Sequence, residues 1–431
     1  MTLAAGQFPR LLAGMPAEGF LPLAAHEALH GPLPLSGRSR SRTEHPLILE
    51  LERAGLRGYG GAGFPTATKL HAVASQGTRP TIVVNGAEGE PLSGKDILLT
   101  GRLPHLVIDG VLAAASLLGS DRVIFALDEQ VRGTARVLQQ ALAQRPELHR
   151  RGAPAVSVNA VPGGYLSGQE MALMNALDGG PPKPTTTPPY PFERGINGRP
   201  TLVSNAETFA QIALVARHGA DWFRALGTTK DPGTRLITVS GAVSYPGVVE
   251  VAGGTTLRQL IGASGGLTGP IQGILLGGYA GTWLPADDLE LRLDAHALRE
   301  RGLRLGSGIV TLLPTSACVV SEVARVARWL QQESANQCGP CIHGLQSIAD
   351  ALEDLCAGGD RRGAYVRIER WCELVVRRGA CSLPDGAATF VASALRMFRP
   401  LFDDHARHGA CDGCPAQGVL PVPAFEAAPA R

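Results

Sequence analysis

Apolar positions along the chain fall into three regimes. Over 46–230, helix-period and strand-length segments alternate. Leu47, Ile48 and Leu51 line one side of a short helix predicted over Pro46–Ala54. A glycine loop follows at 55–63, and a helix is expected from Pro65, since proline suits the first helical turn. Thr81–Val84 and Arg122–Leu127 are short β-branched runs between loops, which predicts buried strands. Leu106, Val111, Leu112 and Ala115 mark a helix between them. Such alternation predicts an α/β domain with a mostly parallel sheet. The proline-rich segment 180–200 is expected to be loop.

From Arg235 the period shifts. Leu236–Ser240 and Gly247–Val251 predict two strands about a turn at Ser244–Gly247. A short helix at Leu257–Ile261 and a strand at Gly273–Leu276 complete a small β-rich unit over 234–300. From Ser321 the pattern is helical. Leu345, Ile348, Leu352 and Leu355 recur at three and four, as do Phe390, Val391, Ala394, Leu395 and Phe398. A helical bundle is expected over 315–405. An irregular arm, 1–45, and a tail with Cys411 and Cys414, 406–431, flank these domains.

Composition narrows the function. The 431 residues carry a formal net charge of only +2, which argues against a dedicated nucleic-acid binder. No apolar run approaches the roughly 20 residues of a membrane span. The start lacks a signal-peptide pattern, so a soluble cytoplasmic protein is expected. All 8 cysteines lie at or beyond Cys318, a crowding that favours a metal or redox module in a reducing compartment. The 54 glycines suggest tight loops around a ligand.

Four polar clusters carry candidate chemistry. Gly58-Tyr59-Gly60-Gly61-Ala62-Gly63 contains G-x-G-x-x-G without the preceding strand of a dinucleotide fold. Its glycines let backbone N–H groups approach an anion, and Lys69 adds charge one turn on. Asn85 to Pro91 follows a predicted strand, where ligands of open α/β sheets bind, and Asn85, Glu88 and Glu90 could meet a ribityl chain or a flavin edge. Gly163 to Glu170 leads into a helix. Ser204, Asn205 and Thr208 suit either a helix cap or a phosphate. Taken singly, each of these is also an ordinary turn or cap. Downstream, Cys338-Gly339-Pro340-Cys341 and a distant Cys381 form an iron–sulfur ligand pattern that lacks one ligand.

In this order, from Gly55 to Leu401, the motifs resemble the flavin-bearing, NADH-oxidising subunit of respiratory complex I and its relatives in soluble hydrogenases and formate dehydrogenases. The family's GLRGRGGAGFPTGLKW corresponds to Gly55–Leu70 here. The resemblance implies an FMN-binding α/β sandwich domain, an SLBB-like β-grasp domain and a cluster-holding helical bundle. It implies an FMN pocket made of Gly58, Gly60, Gly61, Lys69, Asn85, Tyr165, Gly168, Glu170, Ser204, Asn205 and Thr208. Phe64, Lys69 and Glu90 would belong to the face where nicotinamide stacks on the flavin. Hydride would pass directly between cofactors, so no acid–base side chain is expected to dominate. A ferredoxin-like or other electron-acceptor subunit, within a hetero-complex, is the implied partner.

Departures from the family are specific. Its Asn-Ala-Asp-Glu is Asn85-Gly86-Ala87-Glu88, which removes one carboxylate. Its Glu-Glu pair is Gln169-Glu170, which removes a repulsion against NADPH, so NADH or NADPH would serve. Two cations near the nucleotide become threonines within Thr185–Thr187, and an aromatic becomes Ala72. The first cluster ligand is Ala335, while Cys338, Cys341 and Cys381 match the others. A [4Fe–4S] cluster with a non-cysteine fourth ligand, a [3Fe–4S] cluster, or recruitment of Cys411 or Cys414 would each answer the gap, as would a relic holding nothing. Two alternatives stand beside the NAD(P)H-oxidising reading. One is a ferredoxin-linked flavoprotein that has lost nicotinamide binding; the other is a non-catalytic assembly or sensor protein. Cys318, Cys356 and Cys372 are expected to be buried structural thiols.

Overall fold

The computed structural model describes residues 8–34, 41–357, 361, 363–414 and 418–423. Its first domain is built on four parallel strands, β1 (Thr81–Gly86), β2 (Arg122–Asp128), β3 (Ala155–Val161) and β4 (Thr201–Asn205), in the order β3-β2-β1-β4. Its helices are α1 (Leu23–His30), α2 (Pro46–Ala54), α3 (Thr66–Ala74), α4 (Lys95–Arg102), α5 (Pro104–Leu118), α6 (Arg132–Ala143), α7 (Glu170–Leu177) and α8 (Ala206–Arg224). Strand alternation divides the core. Ile82, Val84, Phe125 and Leu202 face α5 and α8, whereas Val83, Ile124, Ala126 and Val203 pack with Leu173 and Met174 of α7. Helix α5 is apolar around its girth and is buried at every residue but Ser116. Gly110 permits its contact with α8, because a Cβ there would lie 1.7 Å from the Phe209 carbonyl oxygen.

The second domain is a five-stranded mixed sheet, β5 (Thr234–Gly241), β6 (Gly247–Ala252), β7 (Ile271–Leu276), β8 (Thr282–Pro285) and β9 (Ile309–Pro314), ordered β6-β5-β9-β7-β8. Helices α9 (Leu257–Ala263) and α10 (Ala295–Glu300) close its core. The central strand β9 lies beyond the expected boundary at 300. It pairs in parallel with β5 and antiparallel with β7, so the unit extends to Pro314.

The third domain contains α11 (Val319–Gln332), α12 (Gln346–Ala357), α13 (Ala364–Val375), α14 (Leu383–Met397) and α15 (Arg399–His408), with a π-helical turn at Pro340–Leu345. Two flanking segments are more ordered than their composition suggested. In the arm, the backbone N–H groups of Arg10, Leu11 and Leu12 donate to the Glu250 carboxylate at 2.9–3.1 Å, and α1 packs against α5. In the tail, Leu420 is fully buried, and the N–H groups of Val419 and Leu420 donate to Glu322. Both segments lack internal periodicity and are ordered by distant partners. Among the described residues no single helix is long and apolar enough to cross a membrane.

Candidate functional site

Three of the four polar clusters leave the carboxyl ends of β1, β3 and β4. The fourth, the glycine loop, spans α2 to α3 and is fastened over β4 from outside the sheet. Its closure is local: Gly58 N–H donates to the Phe64 carbonyl at 2.8 Å, and Arg57 Nη1 donates to the Gly63 carbonyl at 3.0 Å. Its anchor is distant, since Tyr59 N–H donates to Thr208 Oγ1 at 3.0 Å. Thr208 is set by Asn205, which caps α8 by accepting from Thr208 N–H at 3.2 Å and also meets its hydroxyl. Ser204 lies on β4 just before this cap.

Asn85 joins two loops. Its Nδ2 donates to the Gly168 carbonyl at 2.7 Å, and its Oδ1 accepts from Ala87 N–H at 3.2 Å. Gly168 is obligatory for that approach, because a Cβ there would stand 2.6 Å from the Ala87 carbonyl oxygen. Lys69 of α3 reaches across to Glu170 at 2.9 Å, and both remain about one-third exposed, at 31% and 36%. Phe64, five residues before Lys69, is half exposed.

Three of the expected cofactor residues also make contacts within the protein. Glu88 accepts backbone N–H groups from Lys95, Asp96 and Ile97 at 3.1 Å each, together with the Ser93 hydroxyl. Its carboxylate therefore closes the α4 N-terminus, where the helix dipole favours a negative charge. Glu90 accepts from Tyr279 N–H at 2.9 Å and binds the Tyr165 hydroxyl, which ties the first domain to the second. Burial pushes both carboxyls up to about 7, with Asp96 adding to the effect at Glu88. Gln169 caps α7 by accepting from Ala172 N–H at 2.8 Å.

A buried charged knot has no counterpart among the motifs. Lys95 Nζ lies 3.0 Å from Asp96 and 2.9 Å from Glu207, all in the interior. Burial opposes the charge on Lys95, but Asp96, Glu207 and Glu88 outweigh it and raise its affinity for the proton. Asp96 in turn accepts from Asn205 Nδ2 and from Glu207 N–H at 2.8 Å. The only local hint is a Lys-Asp pair opening a helix after Ser93-Gly94.

Downstream, Cys338, Cys341 and Cys381 are brought together. Each thiol lies in the electrostatic field of another, and Cys341 is 1% exposed. The Cys338 thiol is held below its ordinary range: burial opposes this, but the neighbouring Ala380 and Cys341 backbone N–H groups favour the charged form. Ala335, where the fourth ligand would stand, is buried in the same core, and the Ser334 hydroxyl reaches Cys341. Cys411 and Cys414 do not fill the gap, for they pack with Cys318 and His405.

Three family models match the chain in order. They are the Nuo51 FMN-binding domain over 51–214, the SLBB domain over 236–272, and the NADH-ubiquinone oxidoreductase-F iron-sulfur binding region over 321–405. An F-type subunit (F 2) of the NADH-quinone oxidoreductase of Rhizobium meliloti is 30% identical over 403 residues, which is 90% of this chain and 95% of that protein. The chain belongs to the F-type family of NADH-quinone oxidoreductase subunits. The F-type protein of Streptomyces coelicolor is 31% identical, with 86% of each chain covered. Among solved structures, an NAD+-reducing [NiFe]-hydrogenase in the H2-reduced state aligns at a TM-score of 0.79 and 30% identity, over 87% of this chain and 67% of that one.

The residues present fit the flavin of this F-type family. At Gly60, Gly61 and Gly63 an added Cβ would meet nothing closer than 3.7 Å. Packing therefore leaves the space over the loop free, and the glycines keep it so. The three thiols Cys338, Cys341 and Cys381, gathered in the bundle, fit the iron–sulfur group of the matched region.

Proposed function

We propose that this chain is the flavin-bearing subunit of a hetero-complex, taking hydride from NADH or NADPH and passing electrons to a separate acceptor subunit. FMN, when bound, supplies the conversion of a two-electron hydride into single-electron steps. The glycine loop would offer backbone N–H groups to it, Asn85 and Asn205 would hold the surrounding loops in register, and Lys69 with Glu170 would border the open face. Cys338, Cys341 and Cys381 would hold the iron–sulfur centre. All eight cysteines are free of disulfides, in keeping with a reducing compartment such as the cytoplasm.

The observation that carries this reading is the assembly of four sequence-distant clusters about the carboxyl ends of β1, β3 and β4, joined to the cysteine-bearing bundle through Tyr165 and Glu333. Anaerobic purification tests it. A yellow protein containing iron, bleached by NADH or NADPH, is expected. A second reading, electron transfer without nicotinamide, rests on Ala72 and Thr185–Thr187. It predicts FMN that neither nucleotide reduces but a reduced ferredoxin does. Protein carrying neither flavin nor iron would leave only an assembly role.

A further inference from the structure

We propose that Cys318, His405, Cys411 and Cys414 form a mononuclear, tetrahedral zinc site that staples the carboxyl-terminal tail to the helical bundle. It is separate from the Cys338 trio, and three of its four residues lie outside the matched iron–sulfur region, 321–405.

The ligand atoms converge on one point, all within 4.8 Å of one another. Cys318 Sγ and Cys414 Sγ each lie 3.4 Å from His405 Nε2. Cys414 Sγ is 3.6 Å from Cys318 Sγ and 3.8 Å from Cys411 Sγ. A zinc ion with bonds of ~2.3 Å to sulfur and ~2.1 Å to nitrogen spaces tetrahedral sulfurs about 3.8 Å apart and sulfur–nitrogen pairs about 3.6 Å apart. Four of the six edges match this tetrahedron, and the other two are no longer than 4.8 Å. They are far longer than a disulfide bond of about 2.05 Å. A multi-iron cluster would spread its four protein ligands over separate iron atoms, whereas these four surround a single position.

Supporting contacts prepare the donors. His405 Nδ1 donates to the Leu401 carbonyl at 2.9 Å, which leaves the Nε2 lone pair aimed at the three sulfurs. His405 is 4% exposed. Cys318 caps α11, accepting from Ser321 N–H at 3.4 Å, so its thiolate faces the positive helix end. Cys414 N–H donates to the Cys411 carbonyl at 3.0 Å, and this tight turn presents both sulfurs together. Three thiolates and one imidazole form a donor set that suits zinc.

The ligands come from the start of α11, the last turn of α15 and the tail. Beyond them the tail lies across α11, where Glu322 takes two of its N–H groups and Tyr279 of the second domain donates to the Pro421 carbonyl at 2.5 Å. A metal at this junction would hold the tail against two domains.

The test is metal analysis of the full-length protein by inductively coupled plasma mass spectrometry, with zinc-edge X-ray absorption. About one zinc per chain, with a three-sulfur, one-nitrogen shell at ~2.3 Å to sulfur, is expected. C411S and C414S should lose that zinc and keep the iron of the Cys338 trio. H405C should retain zinc in a four-sulfur shell, which separates ligand loss from misfolding. C356S should retain it unchanged, although Cys356 neighbours Cys414. Iron in place of zinc, a Cys411–Cys414 disulfide in reduced preparations, or zinc untouched by C411S and C414S would each overturn the assignment.

Discussion

Glu333 Oε2 accepts the backbone N–H of Tyr165 at 2.7 Å, which joins the helical bundle directly to a loop at the flavin-domain sheet edge. The bond lies five residues before Cys338. Gly164 makes room for it, because a Cβ there would lie 2.6 Å from the same oxygen. Tyr165 also meets Trp329 of α11 edge-on, with centroids 5.5 Å apart. Glu333→Ala leaves a partly buried N–H unpaired and is expected to cost about 1–3 kcal/mol in denaturant unfolding. It should also slow iron reduction relative to flavin reduction in stopped-flow traces. Glu333→Gln keeps an acceptor and should retain most of both.

Glycines at the loop and in the core should respond differently to alanine. At Gly60 the new Cβ would sit 3.8 Å from Asn205 Cβ, at ordinary contact distance and without a clash. Gly60→Ala should leave the melting temperature nearly unchanged while weakening FMN by roughly tenfold, about 1.4 kcal/mol. At Gly110 the Cβ would collide with the Phe209 carbonyl at 1.7 Å. Gly110→Ala should destabilise by more than about 3 kcal/mol, because the backbones of α5 and α8 must part. Flavin titration and thermal unfolding of both variants check this.

Gln169→Glu should alter nucleotide preference without disturbing the fold. Its Oε1 caps α7 through Ala172 N–H, and a carboxylate at a helix N-terminus does so at least as well. The added negative charge disfavours a 2′-phosphate. The expected result is a fall in kcat/KM for NADPH of roughly tenfold relative to NADH. Equal losses with both nucleotides would place Gln169 away from the ribose.

Ala335→Cys restores a thiol at the missing ligand position, next to Ser334, whose hydroxyl reaches Cys341. Iron retention during timed exposure to air should rise several-fold over the parent protein. An unchanged decay would mean that position 335 does not face the cluster.

Stability should fall with rising pH through the Glu90 carboxyl. Burial lifts it from an ordinary 4.5 to about 7. Between these values the folded chain holds a proton that the unfolded chain has released. The contribution is therefore complete below 4.5, declines as pH rises, and is gone above 7, with an upper limit on the order of 3 kcal/mol. Glu90→Gln keeps an acceptor for Tyr279 N–H and should flatten this part of the profile. Urea unfolding at pH 5 and pH 7.5 for both proteins checks it.

Local pattern settled much of this protein in advance. Periodicity placed α2, β1, β2 and α5, because burial of one face imposes a 3.6- or 2-residue rhythm on the chain itself. Glycine spacing marked the loop, and Cys-x-x-Cys marked the metal chemistry, since both depend on neighbours in sequence. Tertiary packing decided the rest. It turned Glu88 onto the α4 N-terminus and Glu90 onto Tyr279, placed β9 at the centre of the second sheet, and carried Cys411 and Cys414 to Cys318 and His405 rather than to Cys338. A carboxylate or a thiol has the same local signature whatever it meets. Its partner is fixed only when segments as far apart as Cys318 and Cys414 fold into contact.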